Sequence, residues 1–150
     1  MKLMKITSAA AVLISVGFLG NLSLADSEGI IKYRKNVMKT NAGHMGAIMD
    51  ILKNHLPLET HVVDHARSIN QNSKMILSMF PKGSDSGNTK AKTSIWKNWS
   101  KFETVSKAFV RESAKLVKVA ESGDMKAFAK QVRAIGKTCG GCHKHFKERE

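Results

Sequence analysis

The tightest constraint on the fold is the spacing of apolar residues near the C-terminus. Met125, Phe128, Val132, Ile135, Cys139, Cys142 and Phe146 recur at steps of three and four. Such a series makes one narrow stripe on an α-helix and cannot alternate across a strand. Two of its members are the only cysteines of the 150-residue chain. Both therefore sit on a core-facing seam, where neighbouring helices enclose whatever they bind. Ser122-Gly123-Asp124 just upstream offers a terminating glycine to one helix and an Asp N-cap to the next, so those two helices are antiparallel neighbours.

The same periodicity extends upstream. Ile95, Trp99, Phe102, Phe109, Leu116 and Ala120, with Trp96, Val110 and Val117 beside them, predict a long helix over 92–121. Val62, Ala66, Ile69, Ile76 and Phe80 predict another over 60–80, with Pro57 and Pro81 as its breaks. Ile31, Met38, Met45, Met49 and Leu52, flanked by Val37, Ile48 and Leu56, predict the first helix over 27–56. The run from Pro81 to Asn88 has turn chemistry throughout and too few apolar groups to pack, which makes it the loop between the second and third helices. With only two prolines in the chain, many short turn-punctuated strands are disfavoured. The expected fold is all-α, an antiparallel up-down-up-down four-helix bundle with a cofactor site between facing helices.

Residues 1–25 are read as a signal peptide outside that bundle. Lys2 and Lys5 precede an uncharged stretch from Ile6 to Ala25 that closes on the small-x-small pattern Ser23-Leu24-Ala25. An uncleaved anchor is the alternative, because about 20 apolar residues can span a bilayer. Thr7, Ser8, Ser15, Asn21 and Ser23 dilute this run, however, and the clean end favours cleavage. Removal leaves 26–150 as a single domain with no stable membrane anchor, exported to the periplasm.

Export makes a disulfide the plain reading of two cysteines, but their context points elsewhere. They stand as Cys139-Gly140-Gly141-Cys142-His143, and Cys-x-x-Cys-His is the attachment sequence for c-type haem. Residues three apart on a helix share a face, so both sulfurs can reach one macrocycle edge while the adjacent imidazole ligates iron. A thioredoxin-type dithiol needs a βαβ frame, and a zinc site needs two further ligands. The motif therefore predicts one haem c, covalently attached through Cys139 and Cys142 and enclosed by the bundle, with His143 as its axial metal ligand.

Ile31-Lys32-Tyr33-Arg34 followed by Met38, then Ile95-Trp96 and Phe102, Gly123-Asp124, and Cys142-His143-Lys144-His145-Phe146-Lys147 at the end together resemble the cytochrome c′ family. The haem motif a few residues from the C-terminus, on the fourth helix, separates this family from ordinary c-type cytochromes. The resemblance implies thioether anchors at Cys139 and Cys142, a proximal ligand at His143, and Arg34 as a basic group beside the haem propionates, with Lys35 as a further cofactor-binding residue. It also implies that Met38 faces the distal side of the iron. Family members divide there between five-coordinate iron behind a blocking side chain and low-spin iron with a methionine thioether as sixth ligand. Plain core filling by the stripe Met38, Met45 and Met49 is the third reading. Where the family usually carries arginine four residues after the histidine, this chain has Lys147, which lacks the planar guanidinium.

The remaining signals are weaker. His61 and His65 stand four apart but do not complete a metal site, and His44, His55 and His145 read as surface or rim residues. Gly43 and Gly46 weaken the first helix, through local fraying or a close helix approach such as a homodimer. No Ser-His-Asp or paired-carboxylate constellation is apparent, so a turnover enzyme is not expected. The formal charge of +13, to which Lys2 and Lys5 contribute two, suits acidic redox partner proteins better than nucleic acid, for which no binding motif is present. The expected function is one-electron transfer, binding of the diatomic gases NO and CO, or both. The rivals are a His/Met electron-transfer protein without gas binding and a haem-free helical adaptor or sensor module.

Overall fold

The computed structural model describes residues 23–149, so all but the last few residues of the expected signal peptide lie outside the described residues. Five helices follow one another: α1 (Leu24–Asn54), α2 (Val62–Met75), the short α3 (Ser94–Lys97), α4 (Trp99–Glu121) and α5 (Met125–Phe146). Among the described residues no strand forms, apart from one isolated bridge between Ala91 and Lys147. None of the described helices is long and apolar enough to cross a membrane.

Three local features explain the boundaries. The Ser23 hydroxyl accepts from the Asp26 N–H at 3.1 Å and caps α1, which ends at His55 in the left-handed region (φ 49°) two residues before Pro57. The second predicted helix is trimmed at both ends by 3₁₀ turns, Glu59–His61 and Leu77–Met79. The third is broken at Asn98 (φ −127°, ψ 49°), whose carbonyl accepts from Lys101 and Phe102 as α4 begins. Tertiary contacts override helical periodicity there. Ile95 is buried, and the Trp96 indole donates to the carbonyls of Phe80 and Pro81 at 3.1 and 2.9 Å, which sets α3 at its own angle.

Side-chain bonds establish the helix directions. His44 and Asn41 of α1 meet His65 and Asn72 of α2. Arg67, Asn70 and Ser73 of α2 meet Glu121 and Ser113 of α4, and Glu112 of α4 meets Gln131 of α5. The first two pairs run antiparallel by these bonds and α4 and α5 by the tight turn at 122–124 between them, so α1 and α5 are antiparallel as well. Packing is close between α4 and α5, α2 and α4, and α1 and α2, whereas α1 and α5 make few close contacts. The bundle is thus closed on three sides and open on the fourth.

The loop from Pro81 onward differs from the sequence expectation. Ser84 is fully buried, Ser27 donates to the Gly83 carbonyl, and Arg34 and Lys35 donate to Ser84, Thr89 and Asn88. Polar groups of α1, rather than apolar groups of the loop, hold it down. Among the described residues nothing beyond the adjoining turns of α1 lies within 4 Å of where a Cβ would stand at Gly43 or Gly46, and α1 continues through both. Neither local fraying nor a close helix approach within the chain accounts for them.

Candidate haem-attachment site

α5 begins at Asp124, whose carboxylate accepts from the Ala127 N–H at 2.9 Å, after Gly123 turns the chain with φ +73°. That start sets the phase of the helix. Phe128, Val132, Ile135 and Phe146 face the core, and Cys139 and Cys142 pack half-buried against the same cluster as free thiols. Desolvation raises both thiols. Cys142, with Cys139 beside it, is pushed up to about 11. Both sulfurs are therefore uncharged at neutral pH.

His143 is exposed and lines a groove of about 380 Å³ with Gly140, Lys144, Lys147, Glu148 and Arg149. Partial burial, reinforced by the positive charge of Lys147, lowers its pKa and favours the neutral imidazole that a metal requires. Lys147 thus acts on His143 as a point charge.

Met49 and Leu52 of α1 line a cavity of about 500 Å³ with Met125, Ala129 and Val132 of α5. Met38, Met45 and Met49 share one stripe of α1, and all three are half-buried against the core. Antiparallel helices rise equally, about 1.5 Å per residue. Eleven residues back from Met49 is Met38, and eleven forward from Ala129–Val132 is Gly140–His143. The α1 stripe therefore runs from this cavity toward the end of the bundle that carries the Cys-x-x-Cys-His segment.

Arg34 occupies a different position from a free surface cation. It is 3% exposed, its guanidinium donates to Ser84 Oγ, the Ser84 carbonyl and Thr89 Oγ1 at 2.7–2.9 Å, and it stacks over the Phe80 and Trp96 rings at 4.8 and 5.7 Å. Burial lowers its pKa, which Asp85 partly offsets. Exposed Lys35 donates to the Asn88 carbonyl and side chain. Phe80, Phe102 and Phe146 pack edge to face beside Arg34, so both cysteine-bearing and arginine-bearing segments meet one aromatic cluster. Ser84 and Thr89 escaped the sequence reading, because nothing in a turn-rich stretch signals an arginine fifty residues upstream.

The donor set fits a covalent haem. Two uncharged thiols stand one turn apart on a helix seam, a neutral-leaning imidazole follows directly, and the flank they share with α1 is the loosely packed side of the bundle. Among the described residues no group of three or more His, Cys, Asp or Glu could hold a metal ion alone. Cys139 and Cys142 would hold the group and His143 its iron, and the chemistry supplied when it is bound is one-electron redox cycling and capture of diatomic gases.

A family model described as Cytochrome C' matches residues 29–147. Cytochrome c' of Rhodospirillum rubrum is 34% identical over 148 residues, covering 98% of this chain and 99% of that protein. Among solved structures, cytochrome c prime from Shewanella frigidimarina superposes with a TM-score of 0.77 at 28% identity, over 85% of this chain and 100% of the other. The nitric oxide complex of a cytochrome c prime variant from Alcaligenes xylosoxidans shares the fold, with a TM-score of 0.77 at 23% identity over 85% of this chain and 100% of that one. Since the matched segment spans all the major helices and the Rhodospirillum relative aligns nearly end to end, the chain belongs to the cytochrome c′ family of haem-binding four-helix bundles.

Proposed function

We propose that this chain is a periplasmic c-type cytochrome that carries one haem c on Cys139 and Cys142, with His143 as proximal ligand, and that it transfers single electrons and binds NO and CO at the face lined by Met38. The observation that supports this reading is the half-buried methionine stripe of α1, which runs from the cavity between α1 and α5 toward the end of the bundle that carries Gly140–His143. Val37, Met45 and Phe102 belong to the same apolar core and carry no side-chain hydrogen-bond donor. Bound O2 would gain little polar stabilisation there, whereas NO and CO need less. The nitric oxide complex formed by a structural relative supports gas binding. Arg34 retains unused N–H donors beyond its three bonds, which supports a role beside the propionates, with Lys35 at the rim. The signal peptide is cleaved after Ala25, and no turnover chemistry is assigned.

Optical spectra of the ferric and ferrous protein with and without CO, with Met38→Ala as comparison, test the reading. Wild-type ferrous protein is expected to bind CO, and Met38→Ala to bind it at least about tenfold faster without a change of spin state, as expected when a blocking side chain is removed. A low-spin wild type that refuses CO, together with a high-spin, CO-reactive Met38→Ala, would make Met38 the sixth ligand and leave electron transfer alone.

A further inference from the structure

The C-terminal end of α5 is tied to the distant segment 90–94. The Lys92 N–H donates to the Phe146 carbonyl at 3.0 Å, the Glu148 N–H to the Lys90 carbonyl at 2.8 Å, and the Ser94 hydroxyl to the His145 carbonyl at 3.4 Å. This pairing holds Lys147 as extended chain beside the groove of about 380 Å³ into which His143 opens. Lys144, Lys147 and Arg149 line that groove with a single carboxylate, Glu148, and Lys92 adjoins it through its bond to Phe146. We infer that this groove is the docking surface for an acidic electron-transfer protein, whose carboxylates seat on Lys92, Lys144, Lys147 and Arg149 beside His143. The inference rests on the haem-bearing reading proposed above.

Two observations distinguish this surface from the general positive charge of the chain. On the outer faces of α2 and α4 several cations are already matched, Arg67 with Asp64 and Glu121, Lys107 with Glu103 and Lys115 with Glu112. Among the described residues no such pair engages Lys92, Lys144, Lys147 or Arg149. Their charge is therefore available to steer an anionic partner and to make the encounter salt-dependent, and the Arg149 fork can hold a carboxylate through two bonds. The second observation is the bare helix between these cations. Gly140 and Gly141 are exposed, and nothing beyond the adjoining turns of α5 lies within 4 Å of where a Cβ would stand at either. Glycine weakens a helix, and no neighbour in the described chain requires it here. What it permits is close approach of a partner to the backbone next to His143, which serves electron tunnelling because that falls steeply with distance. An anionic lipid surface fits less well, since the groove's lining offers no large apolar side chain to insert.

The test uses the haem-loaded protein, hexaglutamate as the carboxylate probe, and a carbodiimide, which joins a lysine amine to a carboxylate as an amide while the reagent takes up the water lost. Mass spectrometry should place most cross-links on Lys92, Lys144 and Lys147, and high salt should remove them. The double variant K144Q/K147Q should bind hexaglutamate at least about tenfold more weakly. Its ferric form should also take an electron from the Fe(II)–EDTA dianion, which becomes Fe(III)–EDTA, at least about threefold more slowly. K118Q/K126Q, which loses the same charge near the turn between α4 and α5, should change each by less than about twofold. Cross-links spread evenly over the surface lysines, equal losses in both double variants, or retention by phosphatidylglycerol vesicles without binding of hexaglutamate would each overturn the surface. Should a variant fail to fold, the wild-type cross-link map decides. Absence of haem bands from the optical spectrum of the same sample would overturn the haem-bearing reading instead, whatever the map shows.

Discussion

Arg34 illustrates how a residue's chemistry is set by its surroundings. Its guanidinium is buried, donates three hydrogen bonds and packs against the adjacent Phe80 and Trp96 rings. Arg34→Ala removes a clamp between α1 and the 81–89 loop and is expected to cost about 2–4 kcal/mol in urea unfolding, because charged hydrogen bonds contribute more than neutral ones. Arg34→Lys should recover less than half of that, since an ammonium cannot reproduce the planar fork. At the other end of the site, burial keeps Cys139 and Cys142 as thiols. In haem-free protein their alkylation at pH 8 should be far slower folded than in urea, as measured by mass spectrometry. Because the folded pKa of Cys142 rises from 9.0 to about 11, its contribution to haem-free stability is present below 9 and is lost as the pH climbs towards 11. Equal melting temperatures at pH 8 and 10.5 would contradict that.

The helices owe their positions to a few end groups and to side chains that cross between them. Asp124 caps α5 and thereby sets the phase that carries both cysteines on the core seam. Asp124→Ala should destabilise the protein by about 1 kcal/mol, and Gly123→Ala by roughly 1–2 kcal/mol, because a Cβ is strained at φ +73°. Chemical unfolding of the two single variants measures both. The apolar steps in 92–121 pointed to one helix, yet the chain breaks at Asn98. Local periodicity carries no record of the bonds from Trp96 to Phe80 and Pro81, which lie sixteen and fifteen residues away. The methionine stripe of α1 was visible as a stripe, but not its place on the edge of the buried face. Ile31, Val37, Ile48 and Ile51 fill the centre instead, with polar Arg34 and Asn41 among them.

At the scale of the whole molecule, the side between α1 and α5 is where the bundle is least complete. A group covering as little as about 80–100 Å² of apolar surface there contributes about 2 kcal/mol. A Cys139→Ala, Cys142→Ala double variant, made without covalent haem, should therefore melt roughly 5–15 °C below the loaded protein. Equal melting by calorimetry would refute the enclosure of the group. What the sequence determined by itself was everything carried by short spacing: the helical periods, the caps at Ser122–Asp124, and the Cys139–His143 motif, because three- and four-residue steps dictate a shared face whatever surrounds them. Pairings between distant segments were decided only by the tertiary structure. Arg34 meets Ser84 and Thr89, and His44 meets His65. Each depends on how neighbouring helices are rotated and staggered, which the packing of the whole core sets and no single stretch of chain encodes.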